Sequence, residues 1–186
     1  MENHHRTLLL EGQSRAYITG TVEYMNNQWV FFDDESDEAT MLDFFTSHEI
    51  EVYYHGHWKR GILQENGELK FQAESFSLRE NDSVRIRKNL TLSLEMLLDE
   101  LNDDAFLQFI TTLNSLQFSI YDCIFCHNHL SFLEERKVRQ GVNFITFDNG
   151  DEICGVQHHF SYYQKQRDRF EFTKSTGKRI IIERFE

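Results

Sequence analysis

The chain has 186 residues, 40% of them hydrophobic, with 17 Phe, 7 Tyr, 2 Trp and no Pro. So much aromatic surface supports one ordinary core or two small lobes and excludes a largely disordered chain, and without proline there are no polyproline segments or rigid linkers. The formal charge of -12 is unevenly spread: up to residue 131 there are 22 Asp and Glu against 9 Lys and Arg, and from residue 132 there are 9 against 10. An acidic surface repels a polyanion, so phosphate-driven nucleic-acid binding is excluded for the first part and only locally permitted in the second.

Residues 1–14 form an N-terminal segment whose longest apolar run is Leu8, Leu9 and Leu10, short of the roughly 7 to 15 residues of a signal peptide's apolar region. No stretch approaches the roughly 20 apolar residues that span a bilayer. Together with three cysteines, an odd number, this predicts a cytoplasmic protein with reduced thiols and no membrane association.

Residues 15–88 alternate apolar and polar positions between closely spaced turns, which predicts a small SH3-like antiparallel β-barrel. Strands at 16–25 and 28–32 flank Asn26-Asn27, and strands at 49–54 and 58–63 flank His55-Gly56; another at 68–72 follows Asn66-Gly67, and a short one lies at 84–87. Asp33, Asp34, Glu35, Asp37 and Glu38 read as a solvated acidic loop. Its carboxylates have calcium-loop spacing, but Glu38 stands where the sharp-turn glycine belongs and Phe44 where the bidentate glutamate belongs.

Between residues 91 and 137 the period becomes helical. Leu94, Leu97, Leu98 and Leu101 form one stripe, and Ala105, Phe106, Phe109, Ile110 and Leu113 a second after the cap signal at Asp103-Asp104. Ser119 and Asp122 have capping-box spacing and predict a third helix. The middle is therefore expected to be a bundle of two to three helices.

Strands return at 142–147 and 152–160, joined through Asp148-Asn149-Gly150, and at 169–173 and 178–184, joined through Ser175-Thr176-Gly177. These two hairpins predict a C-terminal four-stranded antiparallel sheet, paired with the helices into one unit over residues 89–186. The class is α+β.

The sharpest chemical pattern is Cys123-Ile124-Phe125-Cys126-His127. It spells a c-type haem attachment site, but that chemistry follows export. A thioredoxin-like dithiol needs its first cysteine at a helix N-terminus, whereas Cys123 would lie a full turn inside a helix capped by Ser119. Zinc remains, on a site of Cys123, Cys126, Cys154 and His127 between the third helix and the C-terminal sheet. The plainer alternative is a helical seam of Cys123, Cys126, Leu130 and Leu133, with the cysteines as small hydrophobes. On that alternative no cofactor is bound.

Glu51-Val52-Tyr53-Tyr54-His55-Gly56-His57-Trp58-Lys59-Arg60-Gly61-Ile62 resembles the strand, turn, Trp and basic-residue pattern of Tudor and related SH3-like modules. The resemblance implies a possible contact surface for Tyr53, Tyr54 and Trp58, which in Tudor domains would cage a methylated cation. Ser175-Thr176-Gly177-Lys178 looks like a phosphate loop but lies between two strands, where that motif needs a strand and then a helix. His158-His159 reads as a surface strand pair without a nucleophile or oxyanion site beside it. Lys165, Arg167, Arg169, Lys174, Lys178 and Arg179, interleaved with Tyr162, Tyr163, Phe170 and Phe172, are the one stretch suited to single-stranded RNA.

Taken whole, the chain also resembles a family of uncharacterised small proteins from Gram-positive, spore-forming bacteria. That resemblance implies no activity and no functional residue. The leading expectation is a non-enzymatic protein-interaction or regulatory module with a protein partner, because abundant Tyr, Phe and Trp accompany no complete catalytic set. A zinc-binding protein and an RNA-associated factor are the alternatives.

Overall fold

The computed structural model describes residues 2–36, 38–71 and 74–185. Asp37 of the acidic loop and Gln72 at the end of an expected strand lie outside the described residues. In chain order the elements are α1 (Glu2–Glu11), β1 (Tyr17–Met25), β2 (Gln28–Asp33), β3 (Ala39–Met41), β4 (Glu49–Tyr54), β5 (His57–Leu63), β6 (Glu68–Lys70), β7 (Ser75–Ser77) and β8 (Ser83–Arg87). They continue with α2 (Leu92–Glu100), α3 (Asp103–Ser115), β9 (Cys123–His127), β10 (Arg139–Asp148), β11 (Ile153–Tyr162), β12 (Gln166–Lys174) and β13 (Arg179–Phe185). Two compact units result: residues 16–88, and residues 1–15 together with 89–186.

The unit of residues 16–88 is one antiparallel sheet in the order β3-β2-β1-β8-β4-β5-β6-β7. Its hairpins follow from turn chemistry. Asn26 and Asn27 have φ of 51° and 63°, and His55 and Gly56 have 51° and 84°, the paired positive values of two-residue turns that match strand twist. Alternate residues Val22, Phe31, Ile50, Val52, Leu63, Leu69, Val84 and Ile86 are buried together. The sheet curls strongly: Trp29 Nε1 donates to the Asn66 carbonyl at 3.1 Å, which brings β2 against the turn between β5 and β6. Hydrogen bonding does not close it, because among the described residues β3 and β7 are each paired on one side only. Among the described residues the region of the expected SH3-like barrel is a curled antiparallel sheet without pairing between β3 and β7.

In the other unit, helices pack on one face of a five-stranded antiparallel sheet ordered β13-β12-β11-β10-β9. Asn102 caps α3, its side-chain oxygen accepting from Ala105 N–H at 2.8 Å. The stripe of α3 then buries Phe106, Phe109, Ile110 and Leu113, and Phe109 meets Phe170, Phe172 and Phe147 at ring distances of 5.2, 5.8 and 6.2 Å. Burial of this kind stabilises by roughly 1.5–3 kcal/mol per large apolar side chain.

Residues 1–14 contain a helix that belongs to this unit. Arg6 of α1 donates to the carbonyls of Leu98 and Leu101 at 2.9 and 2.7 Å, satisfying the open C-terminal end of α2. Its guanidinium also pairs with Asp103 and lies 4.7 Å from the Phe106 ring centre.

Two expectations are corrected here. The capping box of Ser119 and Asp122 forms, but it opens only a 3₁₀ turn, Ile120–Asp122, and the chain continues as strand β9 and not as a third helix. Asp122 is engaged on both sides, accepting from Ser119 N–H at 2.7 Å and from Arg15 at 2.7 and 2.6 Å. The sheet accordingly has five strands where four were expected. Among the described residues, no helix is long and apolar enough to cross a membrane.

Candidate functional site

The cysteines sit in the C-terminal sheet. β9 pairs with β10 through Cys123 against Phe147, Phe125 against Thr146 and Cys126 against Ile145, with a bulge between Thr146 and Phe147. The extra residue lets Cys123 and Cys126, three positions apart, both pack against the core, which an unbroken period of two would forbid. Cys154 faces Phe147 from β11 and is buried. Two strand spacings, about 10 Å, therefore separate it from Cys123. His127 is exposed and stacks at 6.2 Å on Phe132.

Of the four proposed zinc ligands, Cys123, Cys126 and His127 lie on β9 and Cys154 lies on β11. Among the described residues, no three His, Cys, Asp or Glu side chains gather as a metal would require. Burial pushes the thiols up, to about 12 for Cys126 and about 11 for Cys154, and a protonated thiol is a poor nucleophile. All three cysteines pack with the apolar core, and they do so from strands in place of a helix.

A different set of polar groups is brought together on the helix-facing side of β10, β11 and β12. His158 is 0% exposed, not a surface residue, and its ring stacks on Phe170 with centres 4.4 Å apart. Asn143 Oδ1 accepts from Leu130 N–H at 3.2 Å, which turns the Asn143 amide nitrogen toward His158 Nδ1 at 3.1 Å. Nδ1 is therefore the acceptor, and Nε2 carries the proton that is donated to Asp168 at 2.8 Å. Tyr162 donates its hydroxyl to the same carboxylate oxygen at 2.5 Å, and Gln166 reaches the other at 3.3 Å. Burial, and then the neighbouring Asp168 carboxylate, push the Tyr162 phenol far above its ordinary range.

Tyr162 also forms part of the wall of a cleft of about 610 Å³ at the end of the sheet where β11 turns into β12. Arg139 lies over the Tyr162 ring, 5.3 Å from its centre, and is held by Glu100 at 2.9 Å. Arg136, Lys137, Lys165 and Tyr163 complete the basic and aromatic lining. His158 is sealed from solvent and the Tyr162 hydroxyl is committed to Asp168, so neither is free to act as a general base in the cleft.

Of the predicted aromatic trio, Tyr53 and Trp58 meet with ring centres 5.2 Å apart, while Tyr54 points to the opposite side and packs on Phe76 at 5.2 Å. The Trp58 face is already occupied by a cation of the chain itself, since Arg85 lies 4.6 Å from its ring centre and pairs with Glu51. The C-terminal basic run is likewise divided. Phe170 and Phe172 are core residues and cannot stack on a base; Arg169 and Arg179 both pair with Glu171, and Lys174 pairs with Glu152.

Residues 4–184 match the family described as "Protein of unknown function (DUF2777)". The chain belongs to this family. One member-like relative is the "Uncharacterized protein YisN" of Bacillus subtilis (strain 168), 33% identical over 178 residues that cover 95% of this chain and 90% of that protein. No solved structure matches. The resemblance to uncharacterised proteins of Gram-positive spore formers is therefore shown, and the DUF2777 description assigns no residue a role.

Sequence reasoning passed over Asn143 and Asp168 in this DUF2777 chain and took Tyr162 only as a stacking residue for RNA. A signal was present. Tyr162 and His158 share strand parity with Cys154, Val156 and Phe160, and Asp168 with Phe170 and Phe172. Polar groups at core-facing positions of consecutive strands must find one another, because an unpaired buried polar group is costly.

Proposed function

We propose that this protein is a non-enzymatic, cytoplasmic interaction module that takes an extended apolar segment of a partner protein along the free edge of β9. The observation that carries this reading is the exposed apolar surface at that edge. Ile124 is 61%, Phe125 55%, Phe144 47% and Phe132 73% exposed, on β9, its neighbour β10 and the 3₁₀ turn Leu130–Leu133. Exposed apolar surface of this kind marks interaction sites, and a sheet edge offers unpaired backbone groups to an incoming strand.

The two edges of the sheet differ in a way that supports the reading. β13 carries Arg179 and Glu183, charges that discourage strand addition, whereas Cys-Ile-Phe-Cys-His of β9 carries no Lys, Arg, Asp or Glu. A net charge of -12 on each copy opposes pairing of β9 with itself, so a different protein is the favoured occupant. The curled sheet of residues 16–88 fits an SH3-like module in the same reading, with Tyr53 and Trp58 as a secondary contact surface.

A photo-crosslinking residue in place of Phe125 tests this in native extract. One partner should be captured through an identified extended apolar segment, and a synthetic peptide of that segment should bind the wild type and lose at least about tenfold with Ile124→Lys. Crosslinking only to a second copy, or a peptide indifferent to Ile124→Lys, would defeat the proposal.

A further inference from the structure

We propose that the cleft between the end of β11 and the start of β10 binds a phosphorylated small molecule of nucleotide size. Its volume of about 610 Å³ lies within the range of roughly 300–1,000 Å³ typical of small-ligand sites. Charge is the main argument. Arg136, Lys137 and Lys165 line it, and their side chains have no hydrogen-bond or ion-pair partner among the described residues. Of the two carboxylates on its wall, Glu100 is taken by Arg139, which leaves Glu134 alone against three unpaired cations. In a chain of net charge -12, this is a local reversal of sign that focuses an anion toward the cleft against the field of the rest of the surface.

The arrangement selects among anions. Arg136 and Lys137 lie on the approach to β10, and Lys165 on the turn between β11 and β12, so the cations stand on separate segments around an opening. A single carboxylate offers one pair of oxygens, whereas a diphosphate offers several and enough charge to balance the surplus. Tyr163, 68% exposed on the same turn, supplies a free ring face for a base. Tyr162 gives the floor its rigidity, since its hydroxyl is fixed by Asp168 and its ring by Arg139. A preorganised wall lowers the ordering cost of binding. A nucleic-acid strand is the poorer occupant, because the aromatic residues Phe170 and Phe172 are buried and most of the chain repels a polyanion.

Titration calorimetry of the full chain at low ionic strength with ADP, inorganic pyrophosphate and adenosine decides the matter. ADP and pyrophosphate should bind with Kd below about 1 mM, and adenosine at least about tenfold more weakly. The double variant Lys137→Ala with Lys165→Ala should weaken ADP by at least about tenfold, while Lys178→Ala, on the β12–β13 turn, leaves it unchanged. Tyr163→Ala should weaken ADP by about threefold or more without altering pyrophosphate. All these side chains are exposed, and an unchanged circular dichroism spectrum confirms that each variant folds. The proposal is overturned by any of three results: no heat from ADP or pyrophosphate up to about 10 mM, a double variant that binds as the wild type does, or adenosine equal to ADP. Insensitivity of ADP to Tyr163→Ala would strike out the stacking contact, and with it the nucleotide size of the ligand.

Discussion

Replacing Asp168 by alanine removes one acceptor and strands two buried donors. His158 Nε2 loses its partner at 2.8 Å and the Tyr162 hydroxyl its partner at 2.5 Å, in a region where His158 is 0% and Tyr162 8% exposed. Each unsatisfied buried donor costs about 1–3 kcal/mol, and release of the carboxylate from burial returns part of that, so the net loss is about 2–4 kcal/mol. For a unit of this size that is about 8–16 °C in Tm. Asp168→Asn keeps one acceptor but turns an NH₂ toward the other donor, and should cost about half as much. Combining Asp168→Leu with His158→Leu and Tyr162→Phe removes both donors together with their acceptor and should recover most of the stability.

The assay has a built-in control. Both tryptophans, Trp29 and Trp58, lie in the unit of residues 16–88, and the unit containing Asp168 has none. Urea unfolding followed by far-ultraviolet dichroism should therefore show an early transition in Asp168→Ala, while tryptophan fluorescence reports the midpoint of the 16–88 sheet unshifted. An Asp168→Ala transition within about 1 kcal/mol of wild type, or a loss seen equally by fluorescence, would refute the account of Asp168 as the anchor of this network.

Three further outcomes are expected. Gly67→Ala should destabilise the 16–88 sheet by more than about 2 kcal/mol and alter tryptophan emission, because its Cβ would meet the Trp29 ring at 2.3 Å and the residue sits at φ 71°; an unchanged emission maximum would contradict the close approach. Cys126, raised from 9.0 to about 12, should present about a thousandfold less thiolate at pH 8 than a free thiol, so iodoacetamide should label it in urea and not in the folded chain, as read by mass spectrometry. The phenol of Tyr162 is raised in the fold above its unfolded value of 10.0. Its contribution is thus complete below pH 10 and is lost as pH rises, so alkaline unfolding should move to higher pH in Tyr162→Phe, relative to that variant's own stability at pH 7.

How much of this was legible in sequence varies with the kind of signal. Turns were readable because Asn26, Asn27, Gly56, Gly150 and Gly177 all occupy positive φ, a local demand that residue type answers locally. The stripes of α2 and α3 were readable for the same reason, each helix burying the residues its period singles out. Cys123 to Leu133 misled because spacings of 3, 4 and 3 imitate a helical seam. The inward spacing of three on β9 comes from a bulge, which depends on the partner strand β10, while Leu130 and Leu133 are buried from a 3₁₀ turn. Closure of the N-terminal sheet could not be read either, since it depends on whether β3 and β7 meet. The network around Asp168 lay within reach of strand parity, but its geometry rests on pairing between β11 and β12 that no single strand encodes.

The docking of α1 sets an order of events for the growing chain. Arg6 finds Asp103 and Arg15 finds Asp122 across 97 and 107 residues, with the whole 16–88 sheet spelled out between them. During synthesis that sheet can form as soon as its last strand leaves the ribosome, while α1 must wait until α2, α3 and the turn at Asp122 have followed. A helix made before that sheet is thus placed only after it, and a stall in the middle of translation would leave α1 without a surface to bind.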